Sequence, residues 1–410
     1  MPSIPLSTVW QHEDTSSLFL YVHIPFCEHR CGFCNLFTQA NPEQGLTTRY
    51  LFQLRNEAER LRSAFDTPRF TRMAIGGGTP TFLDRNELTE LFTIITDVMG
   101  VDPAQSPTSI EVSPATVDLD KLLLLRDLGV DRISIGIQSF DDKQAHRLGR
   151  PQCDDDVQQA LELIQQVGFP RLNIDLIYGG EDQSNQQWLT CLQQALQWQP
   201  QELYLYPLYV RALTGLGRMN RSWDDHRLEA YRSGRDFLKS NGYQQNSMRM
   251  FQQPRTDIPQ VPAYCCQSDG MIGLGCGARS YTRVLHYSTE YAVGRRGVQS
   301  ILLDYLNREV SSFDAAQHGY VLSAEDQQRR YLIMSVLQSD GLSRAAYQEQ
   351  FGNDIVEQLP ECIQLETDGL AIIDARRIRL TPSGIERSDQ IGPALYSHRV
   401  RQLMTEYEEK

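Results

Sequence analysis

Cys27, Cys31 and Cys34, spaced C-x3-C-x2-C within YVHIPFCEHRCGFCN (Tyr21 to Asn35), are the residues whose type and spacing can do chemistry. A flexible loop carrying thiolates at these separations can wrap one corner of an iron–sulfur cubane, giving sulfur to three irons and leaving the fourth without a protein ligand. An iron with an open position is a place for reaction. A zinc centre is the alternative, with His23 or His29 as a fourth ligand, although zinc sites usually pair C-x2-C units or join one to histidines.

Other polar residues sit where a site could use them. Gly76-Gly77-Gly78-Thr79 directly follows an apolar run, and without side chains the backbone can approach a ligand and offer it amide and carbonyl groups. Glu111 in SIEVSP, Gln138 in SIGIQSF, Arg150 in HRLGR and Asp175 in NIDLIYG all lie at or just beyond apolar segments. Each alone reads equally well as a rim residue, a helix cap or a surface pair. Tyr21 and His23 read either as cluster neighbours or as a packed strand tyrosine with a satisfied histidine. A second unusual stretch, residues 262–282, holds Cys265, Cys266, Gly273, Gly275, Cys276, Gly277 and Arg279. Adjacent thiols cannot easily chelate one cubane iron pair, and a buried small-residue turn is its plainer account; Arg279 could neutralise a carboxylate or lie at the surface.

The elements that must position these residues alternate. Leu18 to Ile24, bounded by Pro25, suits a buried parallel strand, and Tyr50, Leu51, Leu54, Ala58 and Leu61 mark an amphipathic helix over 47–64. The unit repeats: strands at Met73-Ala74-Ile75, Ser109 to Val112, Arg132 to Ile137, Asn173 to Tyr178 and Leu203 to Tyr209. Helices are expected near 86–99, 118–128, 141–149 or 154–167, 185–198 and 224–240. Six strands alternating with helices imply an α/β parallel sheet, either doubly wound or curled into a barrel, with chemistry at the strand carboxyl ends. Residues 1–17 read as a loosely packed lead-in and 18–310 as the main domain. Residues 311–410 read as a small winged-helix-like α+β domain, with helices near 323–338 and 343–350 before a two-stranded wing. Arg376, Arg377 and Arg379 form a basic group that reads as a solvated strand edge.

Composition narrows the partners. The 410 residues carry 39 basic and 52 acidic side chains, net −13, which argues against a nucleic-acid groove. No apolar run approaches membrane-spanning length, and the first twenty residues lack a signal-peptide pattern, so a cytoplasmic protein is expected. Nine cysteines in a chain of this size are not a disulfide framework, and a reducing compartment also suits an oxygen-labile cluster.

With the aromatic Phe33 just before the third cysteine, the motif after an apolar strand resembles the radical S-adenosylmethionine (SAM) superfamily. The string YVHIPFC is similar to its oxygen-independent coproporphyrinogen III oxidase group, which also contains haem-chaperone-like proteins and class C methyltransferases and cyclopropanases. The resemblance implies a partial (β/α)6 barrel in which Cys27, Cys31 and Cys34 hold a [4Fe-4S] cluster. SAM would bind the open iron through its amino and carboxylate groups and be cleaved to a 5′-deoxyadenosyl radical by an electron from a flavodoxin- or ferredoxin-type donor.

It further implies that Gly77, Gly78 and Thr79 bind the methionyl amino group, that Glu111, Gln138, Arg150 and Asp175 contact SAM, and that Phe33 packs at the adenine or shields the cluster. Tyr21 and His23 would lie beside cluster and SAM as catalytic residues, with Gly273 to Ala278 beside a second SAM or the substrate. One departure stands out: Leu36 occupies the place where coproporphyrinogen oxidases typically carry a further cysteine. The expected function is therefore class C methyl or methylene transfer to an sp2 carbon of a small molecule, using two SAM molecules and with a partner methyltransferase a possible companion. Porphyrin oxidation of the coproporphyrinogen oxidase type and a haem-binding chaperone-like role are the alternatives. A monomer without nucleic-acid or membrane partners is expected.

Overall fold

Largely apolar segments of five to eight residues build the strands, and most of their side chains are buried, as a parallel sheet requires. The structure, a computed structural model, describes residues 2–211, 213, 214, 216, 226–254 and 265–407. The strands are β1 (Leu18–Ile24), β2 (Phe70–Gly77), β3 (Thr108–Val112), β4 (Arg132–Gln138), β5 (Arg171–Tyr178) and β6 (Glu202–Pro207). Between them run α1 (Leu46–Arg62), α2 (Arg85–Thr93), α3 (Leu119–Asp127), α4 (Asp142–Arg147), α5 (Asp154–Val167) and α6 (Asn185–Gln197), and α7 (Arg227–Ser240) follows β6. Both helices considered between β4 and β5 are present. The break between them, before Pro151, is where Arg150 sits.

Each strand pairs in parallel with the next, β1 to β6 in chain order. A doubly wound sheet needs a reversal of strand order, and there is none here, so right-handed crossovers keep the helices on one side and the sheet curls into a partial barrel. All six carboxyl ends consequently reach one rim.

The sheet then grows at both edges to twelve strands. Met250–Gln252 pairs antiparallel with β6, and on the far edge Met271–Leu274 runs parallel to β1, followed by Arg279–Tyr281, Leu285–Ser288 and His318–Val321. Gly273 is thus a strand residue opposite Tyr21, where a Cβ would come within 2.3 Å of the Arg279 carbonyl oxygen. Gly273 thus permits a close approach between neighbouring strands, while Gly275 and Gly277 make room for the Tyr50 hydroxyl and the Phe37 ring. The expected start of α7 at residues 224 and 225, and Pro262 to Tyr264, lie outside the described residues.

Two further expectations change. Residues 2–17 are not loosely packed: Ile4–Pro5 pairs with Ala315–Ala316, and Leu6, Val9 and Trp10 enter the main core. Trp10 is 3% exposed, donates Nε1–H to the Tyr287 hydroxyl at 2.9 Å and packs on Phe65. Apart from Val9 its near neighbours in sequence are polar, and the apolar spacing of Leu6, Val9 and Trp10 spans a single helical turn, too short to announce a core element. The boundary expected at 310/311 also falls inside the main unit, since Phe313 and Ala316 join that core and His318–Val321 is its last strand.

A second core begins at Tyr331 and runs to Leu395. It packs helices Ala324–Val336, Arg344–Phe351 and Glu361–Thr367 on a three-stranded sheet of Leu342–Ser343, Arg377–Leu380 and Ala371–Ile373. No helix among the described residues is long and apolar enough to cross a membrane.

Substituting Trp10→Ala should cost roughly 3–5 kcal/mol of stability in a urea titration, the usual loss for an aromatic removed from a core. A loss below about 1 kcal/mol would show the amino-terminal segment to be the loose lead-in its composition suggests.

Candidate active site

The cysteine loop is held open by the backbone on both sides. Phe26-Cys27 pairs with Gln39-Ala40, the Gly32 N–H donates to Leu148 O at 3.0 Å, and Gly32 O accepts from Leu216 N–H at 2.8 Å. Space is tight there, because a Cβ on Gly32 would approach Leu148 O to 2.8 Å. Arg30 adds a side-chain bond to Val293 O at 2.5 Å. Cys27, Cys31 and Cys34 are all free and all line one cavity of about 560 Å³ at the barrel rim.

That donor set fits an iron–sulfur cluster. Metal binding must remove the thiol protons, and burial pushes Cys27 up to about 12 and raises Cys31, so an uncompensated thiolate is disfavoured here. Two groups favour the anionic sulfurs: the Thr79 hydroxyl lies 3.6 Å from Cys27 Sγ, and Arg150 Nη1 lies 3.5 Å from Cys31 Sγ. His23 cannot complete a zinc site, because both of its nitrogens are engaged elsewhere. Among the described residues no three His, Cys, Asp or Glu side chains gather on the scale of a single metal ion.

The rest of the cavity assembles from the strand ends. Gly77, Gly78 and Thr79 line it, with the N–H groups of Gly78 and Thr79 donating back to Ile24 O and Phe26 O at 2.8 and 2.7 Å. Gly76 makes room for a neighbour: a Cβ there would lie 2.7 Å from the Glu111 carboxylate. Glu111 opens into the cavity and accepts the Gly77 N–H at 3.1 Å. Its depth in the barrel, and then the Asp175 carboxylate, push it up to about 7. Asp175 accepts from Asn173 Nδ2 at 2.8 Å and the Ser134 hydroxyl at 3.3 Å, and burial raises its pKa as well. Two carboxyl groups with raised pKa values on one cavity floor favour a cationic ligand.

Gln138 ends β4 with a left-handed φ of 70°, and its side chain folds back over Gly136 into the cavity. Such a backbone costs on the order of 1–3 kcal/mol in a residue with a side chain. Arg150 is 7% exposed and reaches across the cavity wall, donating to Gly136 O, the Ser113 hydroxyl and Gln152 Oε1 besides Cys31. Phe33 lines the cavity and packs against Leu148, Ile177, Leu208 and Leu216.

Tyr21 and His23 stand one layer back and do not line the cavity. His23 is sealed under Gly77, whose φ of 107° and missing Cβ leave space for the ring. Phe37 O can only accept, so His23 Nε2 carries the proton and donates at 2.9 Å, leaving Nδ1 to accept from the Tyr21 hydroxyl at 3.2 Å. Both residues back the glycine segment of the cavity.

Sequence reading missed Ser113, Ser134, Tyr206, Tyr209 and Arg249, which complete the lining. Tyr206 lies at a strand's carboxyl end and answers to the same logic as Glu111. Arg249 stands beside a three-residue strand too short to leave a periodic signal.

Known proteins were compared with this site in hand. The Radical SAM superfamily profile matches residues 21–195, and the HemN C-terminal domain profile matches residues 322–386. The heme chaperone HemW of Escherichia coli K12 is 30% identical over 272 residues, 64% of this chain and 69% of that protein. The chain belongs to the radical SAM superfamily, in its coproporphyrinogen III oxidase and HemW family. The oxygen-independent coproporphyrinogen III oxidase of the same strain is 26% identical over 387 residues, covering 90% of this chain and 82% of that protein. The solved structure of coproporphyrinogen III oxidase (HemN) from Escherichia coli superposes with a TM-score of 0.81 at 24% identity, covering 93% of this chain and 91% of that one, and so shares its fold. Membership makes this a radical SAM enzyme and implies a [4Fe-4S] cluster and SAM.

Burial pushes the His23 ring down to about 4, below its unfolded value near 6.5. Between those values the unfolded chain binds the extra proton, so His23 contributes its full stabilisation above pH 6.5 and loses it as pH falls toward 4. From pH 7.5 to 5 the wild-type protein should lose about 2 kcal/mol more than His23→Gln in urea titrations. Equal losses would mean the ring is already protonated or solvated.

Proposed function

We propose that this radical SAM enzyme abstracts hydrogen from a tetrapyrrole-class substrate, in the manner named for its coproporphyrinogen III oxidase relatives. The carrying observation is the convergence of three free cysteines with Glu111, Gln138, Arg150 and Asp175 on one cavity at the barrel rim. When bound, the cluster and SAM supply a 5′-deoxyadenosyl radical. Cys27, Cys31 and Cys34 hold the cluster, with Thr79 and Arg150 favouring its anionic sulfurs. The floor carboxylates Glu111 and Asp175 attract the cationic end of SAM, while the backbone of Gly77 and Gly78 and the strained Gln138 fix its position. Phe33 and its apolar neighbours keep water from the radical. Converting a propionate to a vinyl group removes one hydrogen atom, one CO2 and one electron. A one-electron acceptor is therefore required besides the flavodoxin- or ferredoxin-type donor.

A haem-handling role is the second reading, favoured by Leu36 in place of a further cysteine and by the similarity to HemW. The class C methyl transfer expected from the cysteine-loop resemblance, with its second SAM, draws no support from these relatives.

One experiment separates the three. Protein reconstituted anaerobically with iron, sulfide, SAM, a reductant and a one-electron acceptor should take up iron, form 5′-deoxyadenosine and convert coproporphyrinogen III with release of CO2. Cys27→Ala, Cys31→Ala or Cys34→Ala should each abolish iron uptake and 5′-deoxyadenosine together. A tight, stoichiometric Soret complex on haem titration without substrate conversion would replace this reading with the second, and S-adenosylhomocysteine formed alongside 5′-deoxyadenosine would restore methyl transfer.

A further inference from the structure

Arg249, like Arg211, lines the cavity, and none of the motifs accounts for it. It immediately precedes Met250–Gln252, the short strand paired with β6, and its guanidinium lies 5.7 Å from the Tyr206 ring centre and 6.0 Å from that of Tyr209. All three residues line the cavity that the cysteines line. Aromatic rings steady a guanidinium through its faces and leave its in-plane donors free to form the fork that matches a carboxylate.

One carboxylate is already seated there. Asp389, in the first turn of helix Ser388–Ala394 of the second core, accepts from Arg249 Nη2 at 2.6 Å on Oδ1 and from the Tyr209 hydroxyl on Oδ2. The Arg249 and Asp389 side chains are 36% and 31% exposed. A partly solvated pair of this kind contributes little to stability. Among the described residues another ion-paired contact between the same two units is built differently. Glu386, 3% exposed, accepts from Arg232 and Arg235 of α7, away from the cavity.

We propose that Arg249, steadied by Tyr206 and Tyr209, determines substrate specificity by binding a substrate carboxylate, and that Asp389 holds this place until the substrate exchanges with it. The inference rests on the tetrapyrrole reading and adds to it the point where a propionate side chain docks. One carboxylate replaces another at small net cost, while Glu386 keeps the second unit attached. A cavity of about 560 Å³ takes one cofactor-sized molecule.

The test uses the full chain with coproporphyrin III, a redox-stable tetracarboxylate, and its tetramethyl ester, with binding read by porphyrin fluorescence. Wild-type protein should bind the acid about tenfold more tightly than the ester, the scale of one charge-assisted fork. Arg249→Gln should bring the two affinities to within about twofold, and Arg249→Lys should fall between, since a point charge lacks the fork. Asp389→Asn should tighten the acid about threefold without changing the ester, because the competing charge is gone. Glu386→Gln, which loosens the same interdomain contact outside the cavity, should leave the acid-to-ester ratio at its wild-type value; a ratio that falls as it does in Arg249→Gln assigns the effect to docking of the second unit and overturns the proposal. Wild-type protein that binds acid and ester alike, or Arg249→Gln protein that discriminates as wild type does, overturns the proposal and leaves the tetrapyrrole reading standing. Wild-type protein that binds neither overturns that reading and the proposal with it. Should Arg249→Gln fail to fold, Arg249→Lys and Asp389→Asn decide, and an unchanged ratio in both overturns it.

Discussion

The junction between β1 and β2 is the constraint on which the site depends. Ile24 and Phe26 give their carbonyls to the N–H groups of Gly78 and Thr79, and His23 fills the space that Gly77 leaves. The cysteine loop leaves β1 at this point, so the bonds that pin the glycine segment also set where the thiols begin. Tyr50 braces the junction from α1, donating its hydroxyl to His23 O at 2.6 Å and accepting the Cys276 N–H at 3.1 Å. Few groups in the barrel are so fully committed to holding backbone, and the two histidine nitrogens belong to the same arrangement.

Charge is sorted within the cavity. Carboxyl groups with raised pKa values occupy the floor, a buried guanidinium stands against one thiol, and a second guanidinium lies toward the end of β6. A zwitterion-bearing cofactor and an anionic substrate can therefore occupy one concavity without sharing a binding group. Glu111 and Asp175 cannot easily ionise together, and a cation over them relieves both the repulsion and the burial.

Much of this was legible in the chain. β1 has the bounds its apolar run suggests, and the cysteines, the glycine segment, Glu111, Gln138, Arg150 and Asp175 all reach one cavity because single winding sends every strand end to one rim. Periodicity could not choose between single and double winding, since the choice lies in strand order and local pattern does not encode order. Tyr21 and His23 were legible as a pair but not in depth, because their layer depends on contacts with Phe37 and Gly77 far from them in sequence. The wing strands Ala371–Ile373 and Arg377–Leu380 were legible, but the two- to four-residue strands between 243 and 322 and the burial of Trp10 were not. Arg249 escaped for the same reason, as its partners arrive from β6 and from the second core.

Ile4–Pro5 lies against Ala315–Ala316, so two strands some three hundred residues apart in the chain are paired. Trp10 meets Phe65 early, but its bond to Tyr287 and the pairing of Ile4–Pro5 wait until some three hundred residues have followed. Vectorial folding can close β1 to β6 before this clasp forms. Order in residues 4–10 therefore reports that the main unit is complete as far as residue 316.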